Sequence, residues 1–291
     1  MSTSMSTFEA LPRSLQTTVD DFQRYVVGQY MRRATEWDQA QPLIQRIADS
    51  CLGVATPVWP RVEPETIALL LQINVIFDSE LRSGVCGRLV PERGGGFQAI
   101  VAGTPSQPRT RFTIGHECGH AFFFRPSPGQ AQRIIPASVP AKKMSREEWL
   151  CNEFARALLV PNRWKRDVLG RDVQMSEICS LARSLSVSTE VLVRRVLYDW
   201  SEWASSVFYS VWFDSDNCNV RIFRGTKSQS RPDSTPTREA VKSVCEKGRR
   251  PLRSWLQSSY SVKDDDIVES DSTTWWRISK QHPVGRQTTE V

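Results

Sequence analysis

Apolar residues recur at helical spacing from Leu15 to about Ile47, with Phe22, Tyr25, Val26, Tyr30 and Met31 in phase. This pattern predicts one amphipathic helix or two, packed as a cover on whatever follows. Residues 1–12 are polar and Ser/Thr-rich and are expected to lie outside it. Pro57 to Pro64 forms a proline-rich joint, Glu65 to Gln72 a short helix, and Ile73 to Phe77 a strand. Arg93-Gly94-Gly95-Gly96 reads as a hairpin turn before a strand over Phe97 to Val101; without a Gly-Lys-Ser/Thr end it is no phosphate loop. A helical pattern resumes at Arg111-Phe112-Thr113-Ile114 and continues through Ala121 to Phe124, with Arg125-Pro126 as its stop. A second helix runs from Ser145 to Val160, Ser145 serving as N-cap and Glu147 and Glu148 lying in a first turn that favours acids. Two short helices, Leu181 to Leu185 and Thr189 to Trp200, flank Val187-Ser188. Beyond them come a hairpin (Val207 to Phe213, then Cys218 to Arg224), a helix (Thr237 to Lys247) and a last strand (Trp275 to Ser279), the inventory of a small α+β domain.

The chemistry sits in the helical segment from Arg111 to Phe124. His116-Glu117-Cys118-Gly119-His120 is an H-E-x-x-H motif in a chain holding three histidines. Residues four apart on a helix share a face, so both imidazoles can reach one ion, with Glu117 beside it as general base. Zinc accepts two imidazole nitrogens and a carboxylate oxygen and keeps a position for water. A buried helix with two hydrogen-bonded histidines is the alternative, and it has no need of the glutamate. Glu148 is the candidate third ligand, four residues before Asn152, whose side chain could hold the other nitrogen of a histidine ligand. On the residues alone, Glu148 is equally a surface acid, and Glu147 and Glu153 read as solvated helix-surface acids.

The blocks Arg111 to His120 and Glu148-Trp149-Leu150-Cys151-Asn152-Glu153-Phe154-Ala155-Arg156-Ala157-Leu158-Leu159-Val160-Pro161 resemble the ImmA/IrrE family of metallopeptidases, with its RFTxxHExGH and ExxANxFAxxLLxP blocks. Cys151 replaces the usual alanine and Val160 the usual methionine. Leu181-Ala182 through Val187-Ser188 to Arg194-Arg195-Val196 is similar to a third block of that family, so the likeness covers about residues 61–200. It implies a gluzincin-like α+β core, a small sheet beside the H-E-x-x-H helix and a glutamate helix. His116, His120 and Glu148 would then hold zinc, with manganese the other ion considered, and Glu117 would act as catalytic base. The sheet's edge would lie beside the metal cleft, where a substrate peptide could add as a strand. It also implies that the pair of short helices closes the peptidase domain rather than reading DNA. The resulting division is an N-terminal helical segment (1–60), a metallopeptidase domain (61–203) and a C-terminal α+β sensor domain (204–291).

Composition narrows the class. Hydrophobic content of 40% and charged content of 24% are ordinary for a globular protein, and no apolar run reaches the ~20 residues of a membrane span. The N-terminus lacks a signal pattern and the seven cysteines form no CxxC pair, which reads as reduced thiols in a cytoplasm. The net charge of +6 is moderate, but Arg221 to Arg253 carries ten Lys/Arg against three Asp/Glu. That stretch is either a solvated surface or a sensor for nucleic acid, single-stranded DNA being the activator considered.

Three groups are candidates for stabilising a tetrahedral oxyanion: Tyr198, Arg195 and His282. Cys151, one turn from Glu148, is a candidate inhibitory thiol that could take the position of the water; its other reading is a small buried packing residue. The leading function is a zinc endopeptidase that cleaves one partner, by resemblance a helix-turn-helix repressor, so as to release stress, mobile-element or defence genes. The rivals are a non-proteolytic DNA-binding regulator or toxin–antitoxin component that keeps the metal site, and a broad-specificity cytoplasmic peptidase.

Overall fold

The computed structural model describes residues 11–34, 37, 39–55, 61–81, 84–93, 95–103, 106–125, 130–136, 145–165, 174–200, 207–214, 217–224, 236–247, 249–260, 267–269 and 273–278. The protein is α+β, as expected, and divides into two compact units: Met1–Lys165 with Ser184–Ser188, and Arg166–Arg183 with Thr189–Val291. The expected three-part division differs from this at both ends. The N-terminal helices are part of the first unit, and most of the segment expected to close the peptidase domain groups with the C-terminal elements.

In the first unit the N-terminal pattern resolves into two helices, α1 (Arg13–Met31) and α2 (Ala40–Ala55). They are separated by a turn in which Arg33 takes a left-handed conformation, φ 53°. Leu15, Val19, Phe22 and Val26 form the buried stripe of α1, and Leu43, Ile44, Ile47, Cys51 and Leu52 that of α2. After α3 (Pro64–Leu70) come β1 (Ile73–Asp78), β2 (Gly87–Pro91) and β3 (Phe97–Ala102). The sheet order is β1-β3-β2, with β1 parallel and β2 antiparallel to β3. β2 was not anticipated, because Gly87-Arg88-Leu89-Val90-Pro91 is short and shows no clear alternation.

The motif helix α4 runs from Gln107 to Ala121 and packs against α5 (Arg146–Leu159), which in turn packs on α2. Arg111 anchors α4 to the segment before α3: it is 2% exposed, pairs with Glu63 at 2.6 Å and donates to the Val62 carbonyl. The apolar run Phe122 to Phe124 does not extend the helix. All three rings are buried, but the chain turns at Phe122, and Phe124 opens the two-residue strand β4 (Phe124–Arg125), paired with β5 (Gln132–Arg133). Gln23 of α1 explains the stop. Its buried side-chain amide donates to the carbonyls of Phe122 (3.0 Å) and Phe124 (2.8 Å), offering an exit that helical periodicity cannot register.

Of the two short helices expected over Leu181–Leu185 and Thr189–Trp200, the first is α6 (Met175–Ser184), which begins six residues earlier, and the second is α7 (Thr189–Arg194), which runs into a π-helical turn, Arg195–Asp199. In the second unit, β6 (Val207–Asp214) and β7 (Asn217–Arg224) form the expected hairpin. With β8 (Ile267–Glu269) and β9 (Thr273–Ile278) they make an antiparallel sheet of order β7-β6-β9-β8. Helices α8 (Arg238–Cys245) and α9 (Arg249–Tyr260) share a core with one of its faces: Tyr209, Val211, Val220, Val241, Leu252, Leu256 and Trp276 are buried together, and Tyr209 and Trp276 stack at 4.9 Å.

Candidate metal centre

Small residues set the geometry. On α4, Gly115 and Gly119 face Ala155 and Cys151 of α5, pairs spaced by four on each helix. A Cβ added at Gly119 would lie 2.9 Å from the Cys151 Cα, and one at Gly115 would lie 3.4 Å from the Ala155 Cβ. The helix axes therefore approach closely at the level of the histidines. Ser145 caps α5, its hydroxyl accepting from the Glu148 amide at 3.2 Å, so the first turn is fixed where Glu148 projects.

His116, His120 and Glu148 converge within 4.8 Å. The two histidine Nε2 atoms are 3.1 Å apart; Glu148 Oε2 lies 3.1 Å from His116 Nε2, and Oε1 lies 3.4 Å from His120 Nε2. Each ring is held from behind. His116 Nδ1 donates to Asn152 Oδ1 at 3.0 Å, and His120 Nδ1 to Glu147 Oε1 at 2.8 Å. With both Nδ1–H groups used outward, both Nε2 lone pairs point at one place, beside a carboxylate. Two such lone pairs 3.1 Å apart repel unless a proton or a metal ion lies between them. Ligands about 2.05 Å from a tetrahedral ion stand roughly 3.3 Å apart, and these three separations bracket that value. The donor set fits a small dication.

Electrostatics agree. Burial opposes charge on His120, yet Cys151, Glu147 and Glu148 together raise its pKa well above the ordinary value. The neighbouring His116 and His120 hold the Glu148 carboxyl far below the carboxylate range. Burial pushes Glu147 up, but His120 and Arg133 outweigh it and leave it below its ordinary value. Glu117 is 3% exposed; burial raises its pKa, the two imidazoles pull against that, and Glu148 adds to it. A carboxyl so placed is closer to a proton-accepting role near neutrality than a solvated glutamate.

Glu117 faces the edge strand β2. A Cβ at Gly87 would stand 2.8 Å from Glu117 Oε1 and 2.6 Å from Thr113 Cγ2, so only a glycine lets this edge pass so near the carboxylate.

Two acids read as solvated are buried instead. Glu147 is 5% exposed and orients His120, while its other oxygen meets Arg133, delivered by the β4–β5 pairing and lying 5.0 Å from the Phe124 ring. Glu153 is 2% exposed and paired with Arg156 and, at 3.1 Å, with Gln41 of α2. The antiparallel helices carry a legible signal for Glu147: if Asn152 backs His116, the partner of His120 must lie about one turn earlier on α5.

Of the other candidates, Cys151 is fully buried at the Gly119 contact and outside the converging triad, and burial pushes its thiol up to about 11. The same thiol hydrogen-bonds with His120, so it touches one candidate ligand without belonging to the triad. Arg195 is completely buried and paired with Asp199 at 2.8 Å within the second unit. Tyr198, also of the second unit, is 39% exposed. His282 lies outside the described residues.

Residues 100–197 match the Peptidase M78 family, described as the IrrE N-terminal-like domain. No curated protein matches the chain. Among the described residues no helix is long and apolar enough to cross a membrane.

Proposed function

We propose, from the match of residues 100–197 to the IrrE N-terminal-like peptidase family, that the chain is a zinc-dependent endopeptidase that cuts one partner protein at a defined site. We infer that this partner is a helix-turn-helix transcriptional repressor whose loss releases the genes it silences.

The carrying observation is the position of Glu117, buried between the His116–His120–Glu148 triad and the glycine of an edge strand. A structural metal site has no use for a carboxylate there. Nitrogen and carboxylate donors at tetrahedral separations favour zinc over manganese, which prefers octahedral oxygen donors. When bound, zinc supplies a Lewis acid that polarises the scissile carbonyl and acidifies the attacking water. Glu117 accepts the proton of that water and delivers it to the leaving amine nitrogen. Asn152 and Glu147 hold the two imidazoles in the tautomer that keeps Nε2 available. Among the described residues β2 pairs with β3 alone, so an extended peptide can add to its outer edge and carry its scissile bond past Gly87 to Glu117.

The test compares wild type with Glu117→Gln, each loaded with one equivalent of zinc and incubated with candidate helix-turn-helix repressors. A single cut made by wild type alone is the expected result. Digestion of unrelated unfolded proteins at many sites would point to a broad-specificity peptidase. Zinc bound at one per chain with no cleavage of either would sink the proteolytic reading.

A further inference from the structure

The second unit contains a basic cavity that the peptidase reading does not use. Between β7 and α8 lies a hollow of about 540 Å³ lined by Trp212, Cys218, Asn219, Val220, Arg221, Arg238 and Lys242, large enough for a small organic ligand. Three of these seven carry positive charge. Arg221 is fixed in place: it pairs with Glu190 at 2.6 Å, and its guanidinium lies 4.5 Å from the Trp212 ring centre. Glu190 is also shared with Arg194 at 2.9 Å, so its charge is spent on two arginines. Arg238 and Lys242 stand one turn apart on α8, and neither has an ion-pair partner among the described residues. Elsewhere in this unit Arg253 pairs with Glu269 at 3.6 Å. The cavity thus gathers two cations without an ion pair among the described residues and a third shared with Glu190, beside an indole, an amide and a valine.

This combination has a chemical meaning. Cations spaced one helical turn apart and a third across a cavity suit the oxygens of a phosphate. An indole beside them offers a surface for a flat ring. We propose that the cavity binds one nucleoside phosphate unit, the phosphate on Arg238 and Lys242 and the base toward Trp212, taken either as a free nucleotide or as one residue of a single strand. The basic run in the sequence is thereby resolved into a pocket for a defined unit.

The proposal is independent of proteolysis and is tested by calorimetry on the full chain, with Glu117→Gln as an equivalent background. The titrants are AMP, adenosine, inorganic phosphate and an eight-residue dT strand. AMP or the strand binds, and adenosine binds much more weakly. Arg238→Ala and Lys242→Ala each weaken the interaction roughly tenfold or more. Both positions are exposed, so the variants keep the fold. Lys247→Ala, an exposed cation outside the lining, leaves it unchanged, and Trp212→Leu reduces AMP toward the affinity of phosphate alone. Binding of AMP alone identifies a free nucleotide; binding of the strand, displaced by AMP, identifies single-stranded nucleic acid. Absence of binding by both, or an equal loss in Lys247→Ala, overturns the proposal.

Discussion

Gly119→Ala tests whether helix spacing sets the metal centre. The new methyl would fall 2.9 Å from the Cys151 Cα and 3.2 Å from its Cβ, whereas carbon atoms rest about 3.5–4.0 Å apart. The obstacle is largely backbone, so relief requires α4 and α5 to part by about 0.6–1 Å. Glu148 rides on α5 and the histidines on α4. Their 3.1 and 3.4 Å separations would then open to roughly 4 Å, beyond the ~0.2 Å tolerance of a metal shell. Overpacking costs about 1–3 kcal/mol, offset by about 1 kcal/mol gained on replacing a helical glycine. The folded chain therefore loses little stability, while zinc affinity falls at least about tenfold. Gly53→Ala is the control: a Cβ at this position of α2 meets nothing within 4 Å, so it stabilises by about 0.5–1 kcal/mol and leaves the metal alone. Urea denaturation of the apo chains and competition with a chromophoric chelator give the two readings. Wild-type zinc affinity in Gly119→Ala would refute the argument.

Four further outcomes are expected. Glu147→Gln keeps an oxygen for His120 but removes the charge that orients and polarises it, so metal affinity falls about 10–100-fold; an unchanged chelator titration counts against this role. Gly87→Ala forces a methyl against Glu117 Oε1, so kcat on a cleaved substrate falls while zinc stoichiometry stays at one; a selective loss of metal would assign Gly87 differently. Glu147 is held below its ordinary pKa, so its contribution to stability is complete above pH about 4.3 and is lost as pH falls through the folded value. Arg133→Ala removes one of its two partners, which costs about 2 kcal/mol at pH 7 and brings the acid limb of the stability curve to higher pH; superimposable curves would exclude the pairing. Cys151→Ala leaves basal activity unchanged, and the wild-type thiol resists alkylation at pH 8, because burial pushes it up to about 11; activation by the substitution would restore the inhibitory-thiol reading.

The elements carrying the site were legible because their signals are local. The spacing of His116 and His120, the Ser145 cap and the four-residue step from Glu148 to Asn152 are all properties of a single helix. The π-helical turn after α7 and the end of α4 at Ala121 were not, because tertiary contacts decide them. Phe122 to Phe124 would sit well on a helix, and Gln23, about a hundred residues earlier, supplies the amide that closes it instead. The packing of the N-terminal helices was not legible for a related reason: α2 packs on α5 and α1 on α2, and amphipathicity states that a partner exists without saying which.

The two adjacent acids of α5 make the same point more sharply. Glu147 and Glu148 share a residue type, a first turn and a favourable dipole, and on one helix they differ by about 100° of rotation. That rotation acquires meaning only opposite α4, where Glu148 meets both Nε2 atoms and Glu147 reaches the back of His120. Which rotation faces which nitrogen depends on the distance between the helices, and that distance is set by the missing side chains of Gly115 and Gly119. The metal centre is therefore encoded as much by two absent methyl groups as by the three ligands, and a search for ligand residues alone overlooks the positions that hold the ligands in register.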